Sequence, residues 1–300
     1  MNKTQEKPEY MYPKNDFIFK RLFGYEGNED ITKHLVSNII GEKIKKLEFK
    51  NPYLLRETKE DKEEILDIKV CLDDDVQCDI EIQVGNNHDI EKRILDSWAK
   101  MYRQSIGKSK EYIKMKRTII IFITMFDVDS LKVIPQYKTK WEIQEEKLKI
   151  KLTDVFEVDI IELSKAKKQL MCGTFEAPKD MKDWVTFLIN PKEMEEKSKM
   201  EEMSEEVKKA YELWQNLNLN EEEREIAERR YKELASIEYA KKYEHKLGRE
   251  EGKEEGREEG RIEGERKKQK EIAKAMINED IPIEVIAKVT KLTEEEIKKL

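Results

Sequence analysis

The sequence is poor in the residues that build most metal centres and disulfide frameworks, with three cysteines and three histidines among 300 residues. An odd number of cysteines argues against a disulfide framework, and neither residue type shows the spacing of a metal site. These six residues are Cys71, Cys78, Cys172, His34, His88 and His245. We expect the histidines, and the two cysteines at 71 and 78, to occupy packing, strand or surface positions.

The chain also lacks a long apolar run. No stretch approaches the ~20 apolar residues that a membrane-spanning helix needs. The first residues, MNKTQEKPEYMYPKND, are polar and do not resemble a secretory signal. We therefore expect no membrane partner and a reducing, cytoplasmic setting.

Charge is what the sequence has in abundance: 42% of the residues are charged, and the net charge is -7. The acidic balance argues against a generally basic nucleic-acid-binding surface, although it leaves room for a local basic groove. Apolar runs concentrate between residues 10 and 190, whereas glutamate and lysine dominate beyond 190. We predict a flexible arm at 1–13, a globular domain at 14–190, a charged helical region at 191–266 and a small helical tail at 267–300.

The stretch EEILDIKVCLDDDVQCDIEIQV, residues 63–84, carries the clearest pattern in the chain. Apolar and polar residues alternate on both sides of an aspartate cluster, which predicts two antiparallel strands joined by an acidic turn. Folding this hairpin about Asp74 places Asp67 opposite Glu81. Side chains opposed in this way have Cβ atoms about 5 Å apart.

The polar face of this hairpin gathers groups that suit metal-assisted phosphodiester cleavage. Two carboxylates this close repel one another unless a cation lies between them, and Mg²⁺ prefers oxygen ligands of this kind. Asp67 and Glu81 are therefore candidate metal ligands and catalytic residues. Gln83, on the same face, can orient the attacking water, and Lys69, opposite Asp79, can supply charge that stabilises the transition state. The alternative interpretation is a solvated outer face of an antiparallel sheet.

Around the hairpin, strand-like and helix-like patterns alternate. Helices are predicted at about 16–24, 28–40, 89–114 and 164–189, and strands at 45–50, 117–125 and 156–163. Such interleaving predicts a mixed α/β domain. The basic residues of the helix at 89–114, including Arg93, are interpreted as a solvated face.

Glycines recur at every fourth residue from Gly248 to Gly264. A flexible charged linker is one interpretation, because each glycine inside a helix costs about 1 kcal/mol relative to alanine. A long helix is favoured, with a glycine stripe that lets a second copy approach closely, so we expect a homodimer through this region. The tail resembles a helix-turn-helix in outline, but its last helix is short and acidic, which favours an interaction tail over a DNA reader.

Taken together, these stretches resemble the PD-(D/E)XK nucleases, and more narrowly the Rpn family of recombination-promoting nucleases, also labelled PD-(D/E)XK putative transposases. The matching segments are DFIFKRLFG at 16–24, ILDIKV at 65–70, DIEIQV at 79–84 and IIELSK at 160–165, with Arg93, Tyr102, Gly107 and Tyr112 between them. The resemblance implies a restriction-endonuclease-like core, a mixed sheet flanked by helices, followed by a long charged helical C-terminal region. It also implies Mg²⁺-dependent cleavage of DNA and a role linked to recombination.

Two positions depart from the family pattern. Leu66 precedes Asp67 where the motif has proline, and Gln83 stands where it most often has lysine. Three functions therefore compete: a metal-dependent DNA endonuclease, a catalytically weak DNA-binding or self-associating protein that keeps the nuclease fold, and an unrelated α/β scaffold with a coiled-coil tail. The presence of Asp67, Glu81 and Gln83 on one face favours the endonuclease.

Overall fold

The computed structural model describes residues 8–50, 68–73, 75–85, 89–105, 115–195, 197–217 and 219–300. The chain divides into two compact units, Met1–Ser236 and Ile237–Leu300.

The first unit is built on one six-stranded sheet with helices around it. Its strands are β1 Leu47–Phe49, β2 Ile68–Leu72, β3 Val76–Gln83, β4 Thr118–Thr124, β5 Lys138–Trp141 and β6 Phe156–Glu162. Its helices are α1 Asp16–Phe23, α2 Glu29–Ile40, α3 Ile90–Ser105, α4 Leu163–Met171, α5 Lys179–Ile189, α6 Lys197–Glu202 and α7 Glu205–Asn216.

The sheet has the strand order β1-β2-β3-β4-β6-β5. β1, β2 and β3 pair antiparallel, β3, β4 and β6 pair parallel, and β5 pairs antiparallel with β6 at the edge. The hairpin of β2 and β3 has the predicted register, with Ile68 opposite Ile80 and Lys69 opposite Asp79. The predicted turn residue Asp74 lies outside the described residues. This mixed sheet with flanking helices confirms the predicted α/β fold.

One face of the sheet carries the larger hydrophobic core, against α1, α2, α5 and α7. The central strands β3 and β4 contribute Cys78, Ile80, Ile82, Ile119, Ile121 and Ile123 to it. Aromatic side chains from α1 and α5 fill the space above them, and Trp184 and Phe187 are fully buried there. Each such burial stabilises the fold by about 1.5–3 kcal/mol, so this face dominates the stability of the unit.

A polar cap fixes the start of α1, and a glycine ends α2. The Asn15 side chain accepts hydrogen bonds from the backbone amides of Phe17 and Ile18, which caps α1. Its amide also donates to the carbonyl oxygen of Ala227 at 3.0 Å. Gly41 follows α2 with φ of 80°, a left-handed conformation that glycine adopts without strain.

The first compact unit runs past the predicted boundary at residue 190. In α7, Val207, Tyr211 and Trp214 are buried in the larger core, and the Trp214 indole donates to the carbonyl oxygen of Met11 at 2.8 Å. These residues recur every three to four positions, which is the buried stripe of an amphipathic helix. Glutamates and lysines surround this stripe, so a domain boundary drawn from composition alone leaves α7 outside the globular unit.

Helix α8, Glu221–Asn278, begins in the first unit and continues through all five regularly spaced glycines, as the helical interpretation predicted. In the second unit, α9 Ile283–Thr290 and α10 Glu294–Ile297 follow it. A small core of Ala273, Ile286, Leu292 and Ile297 holds this unit together. A capping box of Thr293 and Glu296 begins α10. None of the described helices is long and apolar enough to cross a bilayer.

Candidate active site

The second face of the sheet, on the side of α3, carries the polar residues of β3. Asp79 aligns with Ile120 of β4, and Glu81 aligns with Phe122. Both β4 residues pack in the hydrophobic cluster that contains α3. Because aligned residues of parallel strands share a face, Asp79 and Glu81 lie on the α3 side, and Gln77 and Gln83 follow from the two-residue period of the strand.

Glu81 lies within reach of a cation from α3. One terminal nitrogen of Arg93, Nη2, is 3.3 Å from Oε1 of Glu81. The Glu81 side chain is 15% exposed and that of Arg93 is 45% exposed, so the pair is accessible to solvent and to a substrate. The Arg93 guanidinium attracts the ionised Glu81 carboxylate and also fixes its orientation. Arg93 was interpreted from the sequence as part of a solvated helix face, because a helical pattern alone does not say which strand residue the helix overlies.

The other polar residues of the hairpin surround Glu81. Asp79 is buried with 5% of its surface exposed, and Lys69 is opposite it in the register. The Gln83 amide donates to the carbonyl oxygen of Gly85 at 3.3 Å, which leaves its own carbonyl oxygen available to accept a hydrogen bond. The structure thus places Lys69, Glu81 and Gln83 on one face of one hairpin.

Asp67, the other predicted metal ligand, lies outside the described residues. Among the residues that the structure does describe, no three acidic, histidine or cysteine side chains gather as a metal site. The donors that are described fit Mg²⁺ by their chemistry: Glu81 offers partly exposed carboxylate oxygens, and Mg²⁺ takes one or two carboxylates and completes its shell with water and substrate phosphate.

The segment IIELSK has a structural role at the neighbouring end of the sheet. Glu162 is fully buried, and its Oε1 accepts a hydrogen bond from the amide of Val128 at 2.8 Å. The Lys165 ammonium bonds to Oε2 of Glu162 at 2.5 Å and to the carbonyl oxygens of Leu131 and Ile134 at 2.8 Å each. Three acceptors satisfy the three protons of the ammonium group. This pair therefore holds the loop after β4 in place.

A second acidic pair, Glu157 and Asp159, lies on the opposite face of the sheet. Arg117 bonds to Glu157 at 2.5 Å and to both carboxylate oxygens of Glu42 at 2.7 and 2.8 Å. Burial raises the pKa of Asp159 to about 7, and the hydrogen bond and negative charge of Glu157 add to that rise. Asp159 aligns with Ile121 of the larger core, so this pair does not join the residues around Glu81. The alternating pattern of β6 gave no sign of this buried pair.

Comparison with known proteins finds one family. The family model described as PD-(D/E)XK nuclease family transposase matches residues 13–244. The matched range contains the β2–β3 hairpin, α3 and the IIELSK segment, and it ends before the glycine series begins. No significant match was found among curated proteins or among solved structures.

Proposed function

Because the chain belongs to the PD-(D/E)XK nuclease family of transposases, we propose that it is a Mg²⁺-dependent DNA endonuclease that acts in recombination or on mobile elements. The observation that supports this proposal is the position of Glu81. Its carboxylate is partly exposed, is bound to Arg93 of α3 and is flanked by Gln83 on the same strand face. A merely solvated outer sheet face would not require a cation from α3 beside this carboxylate.

In this proposal Asp67 and Glu81 hold the metal. When bound, Mg²⁺ supplies the charge that polarises the scissile phosphate and favours deprotonation of a water molecule. The carbonyl oxygen of Gln83 accepts a hydrogen bond from the attacking water and fixes its direction. Gln83 carries no charge, so the positive charge that a lysine brings to this motif must come from another residue.

Arg93 is the best placed cation among the described residues, at 3.3 Å from the Glu81 carboxylate. Its guanidinium presents several donors in one plane and binds phosphate oxygens in pairs, which suits an incoming phosphate beside Glu81. Lys69 remains the second candidate. It is opposite Asp79, two residues closer to the hairpin turn than Glu81. The two cations together would replace the missing lysine charge.

The test is a plasmid-nicking assay with purified full-length protein in Mg²⁺, with chelator as a control. We expect the parent protein to nick DNA, Asp67→Ala to be inactive, Gln83→Ala to be slower, and Gln83→Lys to match or exceed the parent. Nicking by Asp67→Ala at the parent rate would contradict the proposal, because the activity would then not depend on this site. DNA binding by the parent protein without cleavage would favour the alternative of a catalytically weak DNA-binding protein.

A further inference from the structure

A cavity of about 240 Å³ opens on the α3 side of the hairpin, beyond Asp79 in the direction of the turn. Its floor comes from β2 and β3, one wall comes from the end of β1, and another comes from the last turns of α3. The polar groups around it are Lys50, Lys69, Lys116, Gln77, Gln104 and Glu48. The volume suits a phosphate group with part of its sugar rather than a larger organic ligand.

Cations outnumber acids around this cavity, with three lysines against one glutamate. Hydrogen bonds from Lys46 and Lys50 hold the pKa of Glu48 below its ordinary value. Glu48 is therefore ionised and offsets part of the positive charge of the lysines. The Lys116 ammonium lies 3.1 Å from an oxygen of Asp75, whose side chain is 81% exposed. Ion pairs exposed in this way are weak, and an incoming anion can replace the acidic partner at little cost.

The cavity is in line with the candidate active site. Gln77 precedes Glu81 by four residues on the same face of β3, which corresponds to about 13 Å along the strand. One strand of a DNA duplex places a phosphate at every 3.4 Å of helix axis, so this distance corresponds to roughly four nucleotides. A DNA strand held at Glu81 and running along β3 would therefore bring another of its phosphates to the cavity.

We propose that this cavity is a phosphate-binding subsite for the DNA backbone, about four nucleotides from the bond that is cut. Lys50 and Lys116 neutralise the phosphate oxygens from opposite sides of the cavity, and the amides of Gln77 and Gln104 donate hydrogen bonds to them. The subsite makes the local basic groove that an acidic protein needs in order to hold DNA. This inference rests on the proposed nuclease function, and it concerns binding rather than chemistry.

The test measures binding of a fluorescent 30-base-pair duplex at several salt concentrations, with Ca²⁺ in place of Mg²⁺ to suppress cleavage. We expect Lys50→Gln and Lys116→Gln each to weaken binding by about three- to tenfold and to lower the salt slope by about one. Lys116→Arg should bind as the parent does, because it keeps the charge. Thermal unfolding of every variant confirms that the fold is intact.

Lys208→Gln is the matched control. Lys208 is paired with Glu205 at 2.9 Å and has a side-chain exposure of 25%, close to the 32% of Lys116. It lies in α7, which packs on the opposite face of the sheet. We expect Lys208→Gln to bind DNA as the parent does. Parent-like affinity and salt slope in both Lys50→Gln and Lys116→Gln would overturn the subsite.

This experiment separates the subsite from the proposed function. If the parent protein binds DNA without cutting it in Mg²⁺ and the two cavity variants still bind more weakly, the nuclease proposal fails and the subsite stands. If the parent cuts DNA and the cavity variants bind like the parent, only the subsite fails. If the cavity variants bind more weakly, duplexes that each carry one uncharged methylphosphonate linkage locate the contact. When the linkage replaces the phosphate that the cavity binds, Lys116→Gln should bind that duplex as well as the parent protein does.

Discussion

The two faces of β3 differ in what they carry. On one face, Cys78, Ile80 and Ile82 are almost fully buried in the larger core. On the other, Glu81 and Gln83 are only partly covered and keep polar atoms near solvent. A single strand thus separates the residues that hold the fold from those that are available for chemistry. Because side chains alternate along a strand, each residue serves only one of these purposes.

The elements that pack against each face of the sheet explain this difference. The smaller cluster on the α3 side contains Ile120, Phe122, Val158 and Ile160 from β4 and β6, and among the described residues it contains none from β1, β2 or β3. Among the described residues, helix α3 therefore packs over β4 and β6, while Glu81 and Gln83 of β3 beside it stay partly exposed. The candidate site and the phosphate cavity both lie on this side of α3, at the β2–β3 hairpin.

The largest effect should come from changing two neighbours on opposite faces. We expect Glu81→Ala to reduce Mg²⁺-dependent cleavage by about 10²–10³-fold or more, while its stability changes by less than about 1 kcal/mol, since its ion pair with Arg93 is partly exposed. Ile80→Ala should instead lower the free energy of unfolding by about 2–5 kcal/mol, because it leaves a cavity in a fully buried position.

Nicking assays and urea denaturation of both variants check this prediction, with Glu81→Gln as a control that keeps the shape of the side chain. A strong loss of stability in Glu81→Ala, without a specific loss of cleavage, would break the comparison between a structural and a chemical face.

The hairpin was predictable from the sequence because a period of two fixes the register wherever one face is buried. Shifting the register by one residue would have exposed Ile80 and buried Glu81. The contact between Arg93 and Glu81 was not predictable, because it depends on where α3 lies across the sheet. The same holds for Trp214, whose burial requires α7 to fold back onto the core. Periodicity identifies which residues are buried, but not which element covers them.

The core face itself carries one unfavourable group, and a second prediction uses it. Asp159 is fully buried on that face, and its pKa is raised to about 7 from an ordinary 3.8. Between these values the folded protein binds more protons than the unfolded chain, so the free energy of unfolding falls as pH rises through this window. An asparagine side chain does not ionise in this pH range, so the Asp159→Asn variant lacks this loss of stability.

We therefore expect Asp159→Asn to be more stable than the parent at pH 8, by roughly 1–4 kcal/mol. At pH 5 the difference should be smaller, and it should vanish only as pH falls to the ordinary pKa of 3.8. Chemical denaturation at both values of pH measures the difference, and Asp129→Asn, at a position with 58% side-chain exposure, is the control. An equal effect of Asp159→Asn at pH 5 and pH 8 would show that packing, rather than ionisation, governs this position.

The smallest effect concerns α8, where no other part of the chain that the structure describes covers the glycine stripe. A Cβ atom added at Gly252, Gly256 or Gly260 would meet none of the described atoms within 4 Å. If the stripe stays in solvent, replacing these glycines with alanine should only stabilise the helix, by up to about 1 kcal/mol each. If it packs against a second copy, as the sequence predicts for a homodimer, the added methyl groups should hinder close approach of the two backbones and weaken self-association.

Light scattering over a range of concentrations distinguishes these outcomes. It compares the full chain, the triple alanine variant and a chain that ends at Ser236, which keeps Trp214 and the rest of α7. We expect the full chain alone to reach the mass of a dimer; monomer masses for all three would show that α8 presents a solvated face, the third kind of surface beside the two of β3.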